Sequence, residues 1–287
     1  MFFYGVMARL SRVWGLWMLR GVAAVVAAGY FLFLPRRAAH SVRFYRELFP
    51  ERSALHALGC AWRQYQDFAR VYSDRLEVGS RSDVIFERPC EAYLAEAREA
   101  GRGVIVLMSH FGRWEIAARL LARQQQDVTL VMGGQRDGSA RAGVDQDLRG
   151  AGVGVVTVPE GQGKAFDILA ALKGLREGGI VSLAADRAYG EARVLRMPFL
   201  GRFVAVAAAP FALALSSGAP LLTAFAIRLG PRHYRFINDP PITLRAKDRG
   251  ERQAVIERAA AAYLQRLQEM VKAYPEQWQT FGKFFVE

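Results

Sequence analysis

Short apolar runs alternate with amphipathic segments between residues 103 and 186, and this alternation is the strongest constraint on the fold. Four runs have the length and the β-branched content of buried strands: VIVLM (104–108), VTLVM (128–132), VGVVTV (153–158) and IVSLAA (180–185). Helical patterns separate them, over 116–125, up to about Arg149, and over 164–176. Strands and helices in this repeating order form parallel sheets that helices cover on both faces. The sequence therefore predicts an α/β fold with a mostly parallel sheet.

The chain beyond residue 200 continues this domain with other periodicities. Residues 205–218 have the pattern of a buried helix closed by a glycine, and residues 220–229 have the pattern of a strand. Residues 233–239 alternate as an antiparallel or edge strand does. A long, charged amphipathic helix is predicted over 249–273. We therefore predict that the α/β domain extends from 101 to 287.

The N-terminal stretch from Val13 to Pro35 is apolar apart from Arg20, and arginines flank it on both sides. At about 1.5 Å per residue, such a helix is roughly as long as the hydrocarbon core of a bilayer is thick. No small-residue cleavage site follows the run, which favours a retained membrane anchor over 1–37 rather than a cleaved signal peptide. Because Arg20 interrupts the run, the helix either spans the bilayer or lies in its interface.

Residues 38–100 are predicted to form a helical, membrane-proximal region between the anchor and the main domain. Arginines alternate with aromatic residues there, as in the stretch SVRFYRELF (41–49). That mixture suits a surface near a membrane, and it equally suits amphipathic helices packed on a protein core. The sequence leaves both possibilities open.

The charge balance favours an anionic partner. The formal net charge is +12 and the sequence pI is about 10.1, which suits nucleic acid, an anionic membrane surface, or an acidic carrier or substrate. No known nucleic-acid-binding motif is present, so no nucleic-acid partner is predicted. Cys60 and Cys90 lack the spacing of metal ligands or of a disulfide framework. We predict neither a metal nor another cofactor.

The run MSHFGRWE (108–115) places His110 and Glu115 five positions apart. On one helix that offset is about 500° and points the two side chains apart, so we predict a bend at Gly112 between a strand and a helix. His110 then lies at the carboxyl end of a strand, where α/β folds bind ligands. Glu115 would accept a hydrogen bond from one imidazole nitrogen, which leaves the other to take a proton from a substrate hydroxyl. Backbone N–H groups from Phe111 to Arg113 would face an oxyanion or phosphate.

This motif resembles the H-x4-D/E signature of glycerolipid acyltransferases, and HFGRWE closely matches the glutamate form typical of the late acyltransferases of lipid A biosynthesis. The similarity continues through residues 175–225, where Asp186 takes the family's acidic position, and through YPEQWQTFGKFF (274–285). The resemblance implies a glycerolipid acyltransferase-like fold with an N-terminal membrane-anchoring helix. It also implies that His110 is the base, that Glu115 is its partner, and that acyl carrier protein carries the donor acyl chain.

In the same family, an arginine between the two blocks usually binds the acceptor or the acyl thioester. By spacing, Arg149 is the favoured candidate, with Arg136 and Arg141 as competitors. Arginine suits this role because its guanidinium binds phosphate through two parallel hydrogen bonds. Each of the three is equally well explained as a solvated surface residue.

Two positions depart from the family pattern. Arg113 stands where an asparagine is common, and Arg187 follows Asp186 where glutamine or histidine is frequent. Both keep a polar side chain but add positive charge, which leaves open an acceptor other than a lipid A precursor. Arg113, Asp186 and Arg187 are among the predicted substrate-binding residues. Asp186 would orient a substrate hydroxyl or pair with Arg187, or else it would cap the following turn.

These observations lead to one main hypothesis and three alternatives. The main one is an O-acyltransferase that moves a fatty acyl chain from acyl carrier protein to a hydroxyl of a glycolipid or lipid A-like acceptor. We expect it at the bacterial inner membrane, with the catalytic domain on the cytoplasmic side. The alternatives are an acyltransferase for another pathway-specific lipid or pigment, a hydrolase that uses water as the acceptor, and a basic non-enzymatic protein that binds membranes or nucleic acid.

Overall fold

The computed structural model describes residues 16–80, 83–133, 138–158, 166–187 and 193–286. The helices are α1 (Leu16–Phe33), α2 (Pro35–Leu48), α3 (Ala54–Ser80), α4 (Glu91–Glu99), α5 (Trp114–Arg123), α6 (Gly138–Gly150), α7 (Phe166–Arg176), α8 (Ala209–Ser217) and α9 (Arg252–Ala273), followed by a 3-10 turn at Pro275–Gln277. The strands are β1 (Ile85–Glu87), β2 (Val104–Met108), β3 (Val128–Gly133), β4 (Gly154–Val158), β5 (Ile180–Ala184), β6 (Val194–Phe199), β7 (Arg202–Ala207), β8 (Leu221–Gly230), β9 (His233–Asn238) and β10 (Phe285–Val286).

The main sheet confirms the predicted α/β architecture. Its strand order is β1-β9-β8-β2-β5-β3-β4 within the described residues. The strands from β8 to β4 are parallel to one another, whereas β9 is antiparallel to β8 and parallel to β1. The four apolar runs of the sequence are β2, β3, β4 and β5. Strand β5 lies between β2 and β3, so strands that are distant in sequence become neighbours.

Strand β2 is apolar at every position because helices cover both of its faces. Ile105 and Leu107 belong to the core that also contains residues of α7, α8 and α9. Val104 and Val106 point to the opposite face and pack with residues of α4, α5 and α6. Successive side chains of a strand alternate between faces, so only a continuous apolar run satisfies both cores.

The predicted helix over 205–218 is wrong in its first part. Residues up to Ala207 belong to β7, which pairs with β6 as an antiparallel hairpin. Val204 and Val206 are fully buried on the inner face of that hairpin. Helix α8 starts only at Ala209, next to Pro210, whose fixed φ favours the first turn of a helix. The small-residue run therefore contains a strand end and a helix start.

The range 38–100 contributes more than helices to the fold. Strand β1 pairs with β9 at the margin of the main sheet, and α4 packs Leu94 and Ala97 into the core beside β2. Residues 85–99 are thus part of the sheet and its covering layer. The rest of the range is occupied mainly by α2 and α3.

Helix α1 lies along α3. Leu19 and Ala27 are buried, and Arg20 forms an ion pair with Glu77 of α3 at 2.7 Å. In the described part of the chain, no helix by itself has the length and apolar character needed to cross a bilayer. Helices α1 and α2 reach that length and composition together, but they meet at an angle of 90°.

Candidate active site

The predicted bend between His110 and Glu115 is present. Strand β2 ends at Met108 and α5 begins at Trp114. Gly112 has φ 65°, a backbone conformation that favours glycine. A Cβ at this position would also overlap the carbonyl oxygen of Ala226 in β8. The turn therefore requires glycine both for its positive φ and for the close approach to β8. Because the turn separates the strand from the helix, His110 and Glu115 do not lie on one regular element.

His110 is held by Asp186, which follows β5. The Nδ1 atom of His110 lies 2.9 Å from Oδ1 of Asp186, and the main-chain N–H of His110 donates to Oδ2 at 3.1 Å. The register of the sheet explains this pairing, because Met108 of β2 lies opposite Ala184 of β5. Residues two positions beyond the ends of paired parallel strands emerge side by side. The contact therefore follows from the strand order.

Asp186 is fully buried, and its surroundings keep it ionised. Burial by itself would raise the pKa of this carboxyl group, but the imidazole and main-chain N–H of His110 and the guanidinium of Arg187 outweigh that effect and hold the pKa well below its usual range. An ionised carboxylate only accepts hydrogen bonds, so the proton between the two residues resides on Nδ1. The Nε2 atom is then the nitrogen that can take a proton from a hydroxyl.

Glu115 contacts a different partner. Its carboxylate accepts a hydrogen bond from the guanidinium of Arg75 in α3, and both side chains are largely buried. The structure thus brings His110 together with Asp186 and Glu115 together with Arg75. The hydrogen bond between His110 and Glu115 stays a prediction.

The expectation that backbone N–H groups at residues 111–113 face an oxyanion is wrong. These three groups donate to the carbonyl oxygens of Ser109, Gln277 and Ala226, at 2.6, 2.8 and 2.7 Å respectively. Each donor is therefore occupied by the protein itself. These three main-chain donors are therefore not directed at a substrate.

The side chain of Arg113 is buried against α3, with 2% of the surface of the residue exposed. Its Nε donates to Asp74 at 2.9 Å, and its two terminal nitrogens donate to the carboxylate of Asp67 at 3.0 and 3.1 Å. Burial would lower the pKa of Arg113, but the two aspartates raise it by more. Asp74 accepts a further hydrogen bond from Arg228 at 2.8 Å. A guanidinium enclosed in this way is not accessible, which argues against the predicted contact between Arg113 and a substrate.

The other predicted arginines lie in different places. Arg149 donates to the carbonyl of Val155 in β4, at the far edge of the sheet. That strand is three positions from β2, roughly 14 Å at about 4.8 Å per strand. Arg136 and the side chain of Arg141 lie outside the described residues. Among the predicted arginines that the structure describes, Arg187 lies next to Asp186, the partner of His110.

The guanidinium of Arg187 donates to the carbonyl of Gln279, and its Nε lies 3.6 Å from Asp186. Its side chain is 29% exposed. It combines a fixed position with an exposed charged group, next to the buried carboxylate. This arrangement suits an arginine that binds an anionic or strongly polarised group.

Sequence reasoning missed the contribution of the C-terminal segment. The main-chain N–H of Gln279 donates to the carbonyl of His110 at 2.7 Å, and the indole N–H of Trp278 donates to Asp186 at 3.3 Å. The resemblance of residues 274–285 to a family segment was a signal, but it carried no indication of where the segment lies. In the structure it lies against the His110 bend.

A histidine at the carboxyl end of a parallel strand, fixed through one nitrogen by a buried carboxylate, has the arrangement of a general base, a group that can remove the proton of a hydroxyl. The chain belongs to the bacterial lipid A biosynthesis acyltransferase family, whose model matches residues 53–286. No curated protein matches the chain. The match includes the main sheet, His110, Glu115 and Asp186. The protein is therefore an acyltransferase, and its family implies a lipid A-like acceptor and an acyl donor.

Proposed function

We propose that this protein transfers a fatty acyl chain from the thioester of acyl carrier protein to a hydroxyl of a glycolipid or lipid A-like acceptor, with His110 as the general base. The hydrogen bond between Nδ1 of His110 and Asp186 carries the proposal. It fixes the tautomer in which Nε2 takes the proton of the acceptor hydroxyl. The imidazole is about a quarter exposed, so a bound substrate can reach it.

In the proposed reaction, His110 carries the proton from the acceptor hydroxyl to the departing thiol. Nε2 takes the hydroxyl proton while the acceptor oxygen attacks the thioester carbonyl and forms a tetrahedral intermediate. The intermediate collapses with cleavage of the carbon–sulfur bond, and the proton on His110 passes to the departing sulfur. Asp186 stabilises the positive imidazolium between these two steps. The products are the acylated lipid and the free thiol of the carrier, so the transfer requires no oxidant or reductant.

In this proposal Arg187 stabilises negative charge at the reacting centre. The N–H groups of residues 111–113 are occupied by carbonyl oxygens, whereas the guanidinium of Arg187 is partly exposed beside Asp186. A fixed positive group near a developing oxyanion lowers the barrier in a site that excludes water. The same guanidinium suits a phosphate of a lipid A-like acceptor.

The carboxylate partner of His110 has two candidates. The geometry favours Asp186, which bonds Nδ1 directly. The family resemblance implies Glu115, which the structure places against Arg75. In our proposal Asp186 orients the imidazole, and Glu115 with Arg75 anchors the first turn of α5 to α3.

We further propose that α1 and the start of α3 bind the membrane as an interfacial anchor. Large apolar side chains are exposed on this surface, including Trp17, Tyr30, Leu32, Phe33, Leu55, Leu58 and Trp62. Exposed arginines flank it at positions 36, 37, 43, 46 and 52. Each basic residue near an anionic bilayer adds about 1 kcal/mol of attraction. Helix α1 is fixed along α3 by the packing of Ala27 with Tyr65 and Ala69 and by the Arg20–Glu77 ion pair. We therefore favour a helix that lies in the membrane interface over one that spans the bilayer.

The surrounding basic surface would also attract acyl carrier protein, which is acidic. An enzyme that draws its donor from the cytoplasm and its acceptor from a bilayer has to work at their boundary. The proposed location is therefore the bacterial inner membrane, with the catalytic domain on the cytoplasmic side.

An acyl-transfer assay tests the proposed reaction. The full chain in mixed micelles, given acyl carrier protein thioester and a lipid A precursor, should release free carrier thiol only when the acceptor is present. Mass spectrometry of the lipid should show the added mass of one acyl chain. Thiol release with free fatty acid and no acceptor would identify a hydrolase instead. Acylation of another lipid or pigment would correct the acceptor, and salt-sensitive DNA binding without any turnover would support a non-enzymatic protein.

Vesicle flotation tests the proposed anchor. Replacement of Phe33 and Leu55 by glutamate should lower the partition coefficient onto anionic vesicles by about tenfold per residue, since each change removes a large apolar group from the interface. Val194→Glu is the matched control, because Val194 is also an exposed apolar residue but lies on the β6–β7 hairpin. Equal flotation of the double variant and the wild type would exclude this surface as the membrane contact.

A further inference from the structure

The C-terminal segment 275–281 runs alongside the His110 bend as a short antiparallel pair. Phe111 and Trp278 lie opposite each other in an antiparallel bridge. The hydrogen bonds on either side of this pair join Gly112 to Gln277 at 2.8 Å and Gln279 to His110 at 2.7 Å. The side-chain amide of Gln279 also donates to the carbonyl of Gly112 at 3.0 Å. The segment is thus in register with the bend that carries the catalytic histidine.

Trp278 is the residue of this segment that points at the site. It is fully buried, and its Nε1 donates to Oδ2 of Asp186 at 3.3 Å. Its ring packs edge-on against Phe44 and Phe284, with centroids 4.8 and 4.6 Å away. Its carbonyl accepts a hydrogen bond from the side chain of Gln64 in α3 at 2.6 Å. The indole therefore has little freedom to turn away from Asp186.

We propose that Trp278 is a positioning residue that acts on His110 through Asp186. The two oxygens of that carboxylate have different partners. Oδ2 receives the indole N–H of Trp278 and the main-chain N–H of His110, whereas Oδ1 faces the imidazole. With Oδ2 held by two donors, the carboxylate cannot rotate away from Nδ1. This proposal rests on the proposed role of His110 as the base.

The indole makes this contact without reaching a substrate. Trp278 has no exposed surface, so binding of the acceptor or the donor does not involve it directly. A buried N–H group that lacks an acceptor is unfavourable, and so is a buried carboxylate that lacks donors. The indole N–H therefore has its acceptor in Asp186, and Asp186 has one of its donors in Trp278. Because neither atom contacts a substrate in this proposal, the hydrogen bond affects the chemical step rather than substrate binding.

Trp278→Phe tests the proposal, since phenylalanine keeps an aromatic ring and removes the N–H donor. We expect kcat to fall about tenfold with KM unchanged, as for the loss of one hydrogen bond to a charged group. Trp114→Phe is the matched control, because Trp114 packs against the core on the other side of the sheet. A role in packing alone would lower the melting temperature and leave kcat of the folded enzyme unchanged, which would overturn the proposal.

A double-mutant cycle asks whether Trp278 acts through Asp186. Asp186→Asn alone should lower kcat strongly, and adding Trp278→Phe to it should cause no further loss. If the two losses multiply in the double variant, Trp278 acts by another route and the proposal fails.

A spectroscopic measurement needs neither turnover nor a folded Trp278 variant. In the 15N-labelled chain, the indole N–H signal of Trp278 should shift when Asp186 is replaced by Asn, while that of Trp62 should not move. An unchanged Trp278 signal would overturn the inference even if Trp278→Phe failed to fold. Full turnover by a His110 variant would instead overturn the proposed base and leave the indole signal shifted, so the two failures are distinguishable.

Discussion

His110→Gln should lower kcat by about 10²–10⁴-fold, the range that a positioned general base contributes. Glutamine keeps a polar side chain of similar length and leaves Asp186 with a donor, so the fold should be retained. The amide cannot take a proton from the acceptor hydroxyl at neutral pH. The assay is acceptor-dependent release of carrier thiol by the purified full chain, with circular dichroism and thermal melting to verify folding.

His233→Gln is the matched control for this experiment. His233 also contacts a carboxylate, that of Glu87 on the neighbouring strand β1, but it lies at the start of β9 and away from the bend. Its replacement should leave kcat unchanged. If His110→Gln retained full turnover, the general-base mechanism would have to be abandoned.

The same assay distinguishes the two candidate partners of the imidazole. Asp186→Asn replaces the acceptor at Nδ1 by an amide and favours the wrong tautomer, so its kcat should approach that of His110→Gln. Glu115→Gln leaves Asp186 in place and should lower kcat by a smaller factor. The opposite ranking would support the His110–Glu115 dyad that the family resemblance implies.

The sequence predicted the bend but not the partner of its histidine. The bend follows from local chemistry: an apolar strand, a glycine and the start of an amphipathic helix within eight residues. The contact with Asp186 depends on which strands are neighbours, and β5 rather than β3 lies beside β2. Strand order is set by how the whole sheet packs, so a partner 76 residues away is not visible in local patterns.

The position of Arg113 shows the same limit. Its added charge in the motif suggested a substrate contact, yet the acceptors of its guanidinium lie in α3. One signal was present, because Asp67 and Asp74 are seven residues apart and therefore lie on one face of a helix. Two carboxylates on the buried face of an amphipathic helix require buried donors. The spacing of the two aspartates predicts a buried donor, whereas only the packed fold shows that Arg113 is that donor.

Arg113→Met should lower the free energy of unfolding by about 3–5 kcal/mol, the cost of removing one partner from a buried ion pair. Methionine fills much of the space but leaves the carboxylate of Asp67 without the two donors that bind it. Asp74 keeps Arg228, so the uncompensated charge falls mainly on Asp67. Urea denaturation of the full chain in detergent measures the effect.

Arg149→Met provides the matched comparison, since the same substitution at this exposed position should change stability by about 0.5 kcal/mol or less. Adding Asp67→Asn to Arg113→Met should restore part of the lost stability, because it removes the unpaired charge. A stable Arg113→Met variant with a raised KM for the acceptor would contradict this account and would return Arg113 to the substrate-binding residues.

The expected loss also has a consequence for activity. Through Asp67, Asp74 and Arg75, helix α3 contacts Arg113 and Glu115 in and next to the bend. The same helix carries part of the apolar surface that we assign to the membrane. A variant that removes the Arg113 ion pairs should therefore reduce kcat and thermal stability together. If the membrane binds this surface, added lipid should restore both, because a ligand that binds the folded state stabilises it. Restoration of stability by anionic vesicles, and its absence in the Phe33 and Leu55 variant, would connect the anchor to the catalytic bend through one helix.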